Sequence, residues 1–260
     1  MNILVTGGSG FIGARYVEHL ARRENVNVSF CARAKRDIHW ADTSRAHFFQ
    51  GDLLDVPFVN HICKNMDVVV HCAGLTGMWG DYEAYYKANV VATENVIAAC
   101  QYAGVQRLVN LSTPSIYFDF RDRLNIAEDF LPDRFADNYP RTKYQAERRV
   151  ALAHTDSLRT LSLRPRMVLG RGDQSVFPRL LRMADKRMLR RIGAGRNIVS
   201  VTSADNMMHA LDCAVFGPDN VYGDVYNIAN PQPVKLWELV DQVLEKAGYP
   251  PVQQSVPVGV

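Results

Sequence analysis

Tyr139 and Lys143 stand four residues apart, in the run Tyr139-Pro140-Arg141-Thr142-Lys143. On a helix that spacing puts a phenol and an ammonium on one face. A free phenol titrates near pH 10 and is a poor base at neutrality. A neighbouring ammonium favours the phenolate, and a drop of about 3 pKa units corresponds to about 4 kcal/mol of differential stabilisation. A phenol tuned in this way can exchange a proton with a carbonyl or an alcohol. A hydroxyl from Leu111-Ser112-Thr113-Pro114-Ser115-Ile116-Tyr117 could orient the reacting oxygen toward it.

A second chemical feature lies at the start of the chain. Thr6-Gly7-Gly8-Ser9-Gly10-Phe11-Ile12-Gly13 joins an apolar run to an amphipathic stretch. Glycines at 7, 10 and 13 allow a tight turn and a close approach of backbone to a pyrophosphate, which the following helix N-terminus attracts. Gly7, Gly10, Phe11, Ile12 and Gly13 are therefore the expected contacts with a nicotinamide dinucleotide.

An acid about 20 positions further on would accept hydrogen bonds from an adenosine ribose. Counting from Gly13 reaches Arg33, and no acid lies between Glu24 and Asp37. Arg33, with Lys35 or Arg36, would attract a 2′-phosphate, so NADP(H) is favoured over NAD(H). Asp52 and Leu53 are placed to touch the adenine. Cys72, Ala73 and Gly74 are small enough to pass close to the dinucleotide. His71 reads as structural, because nothing else in the sequence pairs with it.

Elements that could position these residues follow one another in a βα rhythm. Strands are predicted over Asn2–Thr6, Val26–Ala32, Ala46–Gln50, Asp67–Cys72, Arg107–Ser112 and Leu158–Arg164. Helices are predicted through Leu20, over Tyr85–Ala103 and over Tyr139–His154. This is the pattern of a doubly wound parallel α/β sheet, a Rossmann fold, over 1–165. Residues 166–260 read mainly as a smaller C-terminal substrate lobe. It has helices at Phe177–Arg191, Ser203–Phe216 and Leu236–Ala247, and Tyr226–Ala229 could return to the sheet. The chain stops soon after the last helix, which leaves the completeness of the lobe open.

Composition narrows the class. The formal charge is +3, from 30 basic and 27 acidic residues, too balanced for a nucleic-acid surface. The basic run Lys186–Arg191 is either a solvated helix face or a patch for an anionic substrate. Five cysteines without close pairs suit free thiols, and no metal site is expected. No apolar run reaches the roughly 18 residues of a membrane span, and no basic-then-apolar leader is seen. The expectation is a cytoplasmic protein acting on a small molecule.

With these motifs in chain order, the sequence resembles the extended short-chain dehydrogenase/reductase family. Thr6–Gly13 matches its T-G-x-x-G-x-x-G fingerprint, and Asn89–Val96 its N-V-x-G-T-x-N-V helix, with Ala92 replacing the usual glycine. Ser112–Tyr117 looks like S-S/T-x-x-V-Y. Leu163–Gly170 is similar to the L-R-P-x-x-V-x-G strand, through which Pro165 would line the nicotinamide. The resemblance implies Tyr139 as acid/base and Thr113 as the orienting hydroxyl, with Ser115 a second candidate. Lys143 would tune Tyr139 and hold the ribose, and Asn89 would support a proton relay. A homodimer through the Tyr85–Ala103 and Tyr139–His154 helices is also implied.

Within the family, dehydratases carry an Asp-Glu pair where Pro114 and Ser115 stand, which argues against dehydration. Gly77–Tyr82, Ser112–Ser115 and Arg164–Arg166, with Gly170–Asp173, look like the 3β-hydroxysteroid dehydrogenase-like branch. Met78, Trp79 and Tyr82, beside Tyr85, would form an apolar substrate mouth, with Arg166 also facing substrate. The resulting expectation is an NADP(H)-dependent ketone reductase/alcohol dehydrogenase, interconverting a ketone and a secondary alcohol on a 3-keto acid or sterol-like substrate. A nucleotide-sugar epimerase with tightly held NAD and a non-catalytic dinucleotide sensor are the alternatives.

Overall fold

A computed structural model describes residues 1–34, 38–77 and 79–257. Lys35, Arg36 and Met78 lie outside the described residues.

Strands β1 (Asn2–Thr6), β2 (Asn27–Ala32), β3 (His47–Gln50), β4 (Val68–His71), β5 (Arg107–Leu111), β6 (Arg159–Pro165) and β7 (Val225–Ile228) form one sheet. Their order is β7-β6-β5-β4-β1-β2-β3, and every neighbouring pair is parallel. This is a Rossmann-type doubly wound sheet. The chain runs outward from β1 in both directions, so the crevice beyond the carboxyl ends of β1 and β4 is the switch point where such sheets hold ligands.

β4 reads Val68-Val69-Val70-His71 and is buried along its whole length, as a strand covered on both faces must be. Helices α1 (Phe11–Ala21), α2 (Val56–Cys63), α3 (Tyr82–Tyr85), α4 (Ala92–Ala103) and α5 (Asn138–Leu152) supply the cover. One core cluster joins Leu4, Val69 and Leu108 of the sheet to Ile62 of α2 and to Val96, Ala99 and Cys100 of α4. Each large aliphatic side chain removed from water there contributes roughly 1.5–3 kcal/mol.

The single helix expected over Tyr85–Ala103 is interrupted. Tyr86–Val91 is a π-helical segment between α3 and α4. Such a turn accommodates an extra residue and is common at functional sites. Here it holds Asn89, whose amide leaves the helix for outside partners.

The chain divides into two compact units, Met1–Pro165 with Met207–Ile228, and Arg166–Asn206 with the residues from Ala229 onward. The return of 225–228 to the sheet places β7 beside β6 in the first unit. The second unit contains α6 (Val176–Asp185) and α8 (Leu236–Lys246), with short strand pairs such as Val168–Leu169 against Thr202–Ser203. α7 (Ala204–Phe216) starts from Ser203, whose Oγ accepts the Asn206 N–H at 3.1 Å.

The predicted helix Phe177–Arg191 stops short, at Asp185. Arg187 turns into the left-handed region, with φ of 53°, while its N–H bonds Ala184 O and the Met188 N–H bonds Met183 O. That is a Schellman stop made without glycine, and so without the sequence signal for it. The left-handed conformation costs an L-residue roughly 1–2 kcal/mol. Arg187→Gly is therefore expected to stabilise this unit by about 0.5–1 kcal/mol, after the greater entropy of the unfolded glycine is set against the relieved strain. Denaturant unfolding monitored by circular dichroism checks it.

Candidate active site

The glycine-rich turn is shaped by contacts that admit no side chain. Gly7 has φ of 66°, and a Cβ on it would lie 2.7 Å from the Ala73 nitrogen. A Cβ on Gly13 would lie 2.4 Å from Gly7 O. α1 opens at Gly10 with no side-chain cap and no acid in its first turn, and its first bond is Ala14 N–H to Gly10 O at 2.9 Å. The N–H groups ahead of that bond have no acceptor within the helix. Ser9 Oγ is buried beside them without a partner. A tight glycine cradle, an uncapped helix start and an orphaned hydroxyl fit the pyrophosphate of a dinucleotide.

Around the cradle, Phe11 packs edge-on against Trp40 at 6.3 Å, and Ile12 is partly exposed beside it. Arg33 is exposed just past β2. Asp52 turns its carboxylate back on its own loop, where Oδ1 accepts the Leu54 N–H at 3.0 Å. The Leu53 side chain is buried in the core, and its carbonyl accepts the Asn95 amide at 2.9 Å. Burial pushes the Cys72 thiol up to about 12, so it stays protonated. The Ala73 N–H reaches Thr6 Oγ1 at 3.3 Å. A Cβ on Gly74 would meet Asn89 Oδ1 at 3.0 Å and Lys143 Nζ at 3.7 Å.

The structure brings Tyr139, Thr113, Ser115, Lys143 and Asn89 together near the carboxyl ends of β4 and β5. Asp137 caps α5 by accepting the Tyr139 N–H at 2.6 Å, which places Tyr139 in the first helical turn. The Thr113 hydroxyl lies near the Tyr139 phenol and acts to lower its pKa. Thr113 also caps the turn Pro114–Tyr117: its Oγ1 accepts the Ser115 N–H at 3.2 Å and donates to Ser115 Oγ at 3.1 Å. One turn along α5 from Tyr139, Lys143 is buried, and its Nζ donates to Leu111 O at 2.6 Å.

The electrostatics differ from the sequence expectation of a phenol lowered by Lys143. Burial raises the Tyr139 phenol above its ordinary value, and Thr113 pulls against it, while Tyr85 and Asp137 raise it further. The Lys143 ammonium donates to Leu111 O at the end of β5. Burial lowers Lys143 to about 8, with Glu147 and Cys72 opposing the shift. Asn89 is committed as well. Its Oδ1 accepts the Leu75 N–H at 2.7 Å, and its Nδ2 donates to Leu75 O and Thr142 Oγ1, each at 3.1 Å. Both amide protons are used in holding the segment after β4 to α5, so the side chain clamps rather than relays.

His71 has partners that the sequence concealed. Thr93 Oγ1 donates to Asn89 O at 2.6 Å, so it accepts from His71 Nε2 at 3.0 Å. The proton then lies on Nε2, and Nδ1 accepts from Thr6 Oγ1 at 2.7 Å. Burial, reinforced by the charge on Lys143, lowers this imidazole to about 3 and keeps it neutral.

Other expected residues are placed elsewhere. Tyr82 donates to Gln145 Oε1 at 3.3 Å and lies under the Arg141 guanidinium at 4.7 Å. Arg141 and Gln145 occupy the face of α5 away from Tyr139 and Lys143, so Tyr82 is not brought to them. Trp79 is 81% exposed, at φ of 62°. Pro165 ends β6, paired with Ile228. Arg166 is exposed at the start of the second unit, its carbonyl accepting Thr202 Oγ1 at 2.7 Å.

Tyr85, expected at the substrate mouth, is buried with its ring 6.1 Å from that of Tyr139, and glycines at 77 and 80 leave room for it. One feature went unread in the sequence: Arg164 and Glu147 form a buried ion pair. Its signal was an acid four residues beyond Lys143, on the same inward face of the helix.

A family model for the 3-beta hydroxysteroid dehydrogenase/isomerase family matches residues 4–258. The chain belongs to this family. It is 37% identical over 262 residues to the 2-alkyl-3-oxoalkanoate reductase of Stenotrophomonas maltophilia, covering 98% of this chain and 78% of that protein. Similarity extends to the decarboxylating sterol-4-alpha-carboxylate 3-dehydrogenase of Bos taurus, at 33% over 263 residues, 97% of this chain and 72% of that one. Among solved structures, MoeE5 in complex with UDP-glucuronic acid and NAD superposes with a TM-score of 0.83 at 30% identity, covering 98% of this chain and 86% of that chain. The UDP-glucuronic acid 4-epimerase of Bacillus cereus, with NAD, matches at 0.83 and 23% identity over 99% and 87% of the two chains, a likeness of fold. The family member described here is thus an NAD(P)-dependent oxidoreductase of the extended short-chain type. No helix among its described residues is long and apolar enough to cross a membrane.

The buried His71 carries a pH signature. The unfolded chain takes up a proton near pH 6.5, whereas the folded site resists protonation down to about 3. Its contribution to stability is complete above pH 6.5 and is lost as pH falls toward 3, at up to about 1.4 kcal/mol per pH unit. Denaturant unfolding is expected to show His71→Gln with a shallower loss of stability than the wild type between neutral pH and pH 5.

Proposed function

We propose that this enzyme reduces a ketone to a secondary alcohol on a hydrophobic substrate of the 3-keto acid or sterol type, using NADP(H). The observation that carries the proposal is the Tyr139 phenol beside the Thr113 hydroxyl at the carboxyl end of β5, with Lys143 one helical turn behind it. In this reading Gly7, Gly10, Gly13 and the start of α1 would hold the dinucleotide, which when bound would supply hydride.

The chain's residues do the rest. Tyr139 Oη donates its proton to the substrate oxygen as negative charge develops there. Thr113 and Ser115 hydroxyls orient that oxygen and keep it within reach of the phenol. Lys143 Nζ, anchored on Leu111 O, takes the cofactor's ribose hydroxyls with its remaining donors. Burial that raises the phenol keeps it in its acid form at neutral pH, the form a reduction consumes.

Three further observations support the finer parts of the proposal. Relatives named as a 2-alkyl-3-oxoalkanoate reductase and as a ketoreductase of a farnesylated quinoline oxide both act on carbonyls of apolar molecules. Phe118 and Phe120, which follow the Thr113 turn, are exposed and pack together at 4.9 Å, a surface suited to an alkyl substituent. Arg33, exposed past β2 where an NAD site would place a carboxylate, suits a 2′-phosphate.

Tyr139→Phe is expected to lower kcat for NADPH-dependent reduction of a 2-alkyl-3-keto acid by about 10²–10⁴. NADPH binding, followed by its fluorescence, should change only a few-fold. Undiminished turnover by this variant would remove the assignment. Isomerisation of a UDP-sugar without net redox, with NAD released on denaturation, would replace it by an epimerase. Arg33→Ser is expected to weaken NADPH about tenfold or more, equivalent to about 1.4 kcal/mol, and to leave NADH nearly unchanged. Equal losses for both cofactors would count against the 2′-phosphate contact.

A further inference from the structure

The buried pair Arg164–Glu147 is connected to far more than itself. Arg164, at the end of β6, donates from Nε to Glu147 Oε2 at 2.9 Å and from Nη2 to Glu147 Oε1. Its Nη1 donates to the Tyr117 hydroxyl and, at 2.8 Å, to Glu128 O. The Tyr117 hydroxyl in turn donates to Asn227 Oδ1 at 2.7 Å. Asn227, on β7, is held by the Glu128 carboxylate at its N–H (2.8 Å) and donates from Nδ2 to Ile126 O at 3.1 Å. Both charged side chains of the pair are 3% exposed.

Each end of this network carries part of the catalytic group. Glu147 lies on α5, one turn beyond Lys143 and two beyond Tyr139. Tyr117 closes the short turn that Thr113 caps and that contains Ser115. Glu128 and Ile126 belong to the loop between that turn and α5. A planar guanidinium with its donors in a fixed fork can hold three such elements at set angles, which a single-point ammonium cannot. A buried ion pair also contributes little net stability compared with apolar residues of the same shape, so its value here lies in geometry.

We propose that Arg164 and Glu147 are positioning residues of the reaction, tying the helix of Tyr139 and Lys143 to the turn of Thr113 and Ser115 through Tyr117. The proposal rests on the ketone-reductase reading. It also assigns Glu147 a second effect. The charged or titratable groups acting on Lys143 are Glu147 from its own helix and His71 and Cys72 from the end of β4. His71 is neutral, and of the two groups that raise Lys143, Glu147 acts more strongly than Cys72. Without it, Lys143 loses its proton at lower pH.

Three variants test this: Tyr117→Phe, Glu147→Gln, and the double variant Glu147→Leu/Arg164→Met, which removes both charges together and avoids an unpaired buried ion. The readouts are kcat and KM for the ketone, NADPH affinity by fluorescence, and the pH dependence of both from neutrality to about pH 10, where lysine titrates. Tyr117→Phe keeps its ring and the ion pair. It is expected to lose about tenfold in kcat with the ketone KM unchanged, since small misplacement of reacting groups can cost up to about 10²-fold. Glu147→Gln should move the basic limb of NADPH affinity to lower pH by about one unit, the double variant should move it less because the Arg164 charge is lost as well, and Tyr117→Phe leaves that limb in place.

Wild-type kcat in Tyr117→Phe would overturn the positioning role. An unmoved basic limb in Glu147→Gln would overturn the effect on Lys143. Should neither Glu147 variant fold, Tyr117→Phe alone decides, and wild-type turnover in it ends the proposal. Tyr139→Phe in the same assay separates the two levels. If it too retains turnover, the reductase reading has failed; if it alone is inactive, only the positioning role has.

Discussion

An ammonium group almost cut off from water, Lys143 Nζ, sets the terms for the residues around it. Taking such a charge out of water costs several kcal/mol unless polar partners replace the solvent. The carbonyl of Leu111 and the carboxylate of Glu147 supply that replacement. The absence of a side chain on Gly74 leaves the approach from β4 open. Its charge also acts on its neighbours, helping to keep His71 neutral.

From that point the polar interior reads as one directed chain. His71 can carry its proton on only one nitrogen, because Thr93 already gives its own proton to the Asn89 carbonyl. Asn89 sits in the π-helical segment and spends its amide on Leu75 and Thr142. The end of β4, the helix after it and α5 are thereby held to one another by hydrogen bonds whose donors and acceptors cannot be exchanged. Rigidity of this kind is what a proton-transfer site requires, since reacting atoms must meet within a few tenths of an ångström.

Tyr139 shows why proximity on a helix does not by itself decide chemistry. The phenol and the ammonium do share a face, yet the ammonium donates to Leu111 O and the phenol lies beside Thr113. Burial then dominates and raises the phenol. In the proposed reaction it would serve as a general acid rather than a preformed base.

The local pattern of residues was enough to set the order of the strands that residues 1–165 contribute to the sheet, the glycine turn and the placing of Tyr139 and Lys143 on one helix face, though not the helix Val56–Cys63. These depend on apolar periodicity, on backbone freedom at glycine and on i, i+4 spacing, all of which are properties of neighbouring residues. Contacts between residues far apart in the chain were decided only by the fold. Thr6 and Thr93 close on His71 from opposite sides, Arg164 finds Glu147 and Tyr117, and Tyr82 turns to the outer face of α5. The end of α6 at Arg187 was hidden for a related reason: a left-handed residue other than glycine is stabilised by the bonds it closes, not by its own preference. A side chain's burial and charge partners come from segments the local pattern does not contain, so protonation states and positioning roles belong to the tertiary structure.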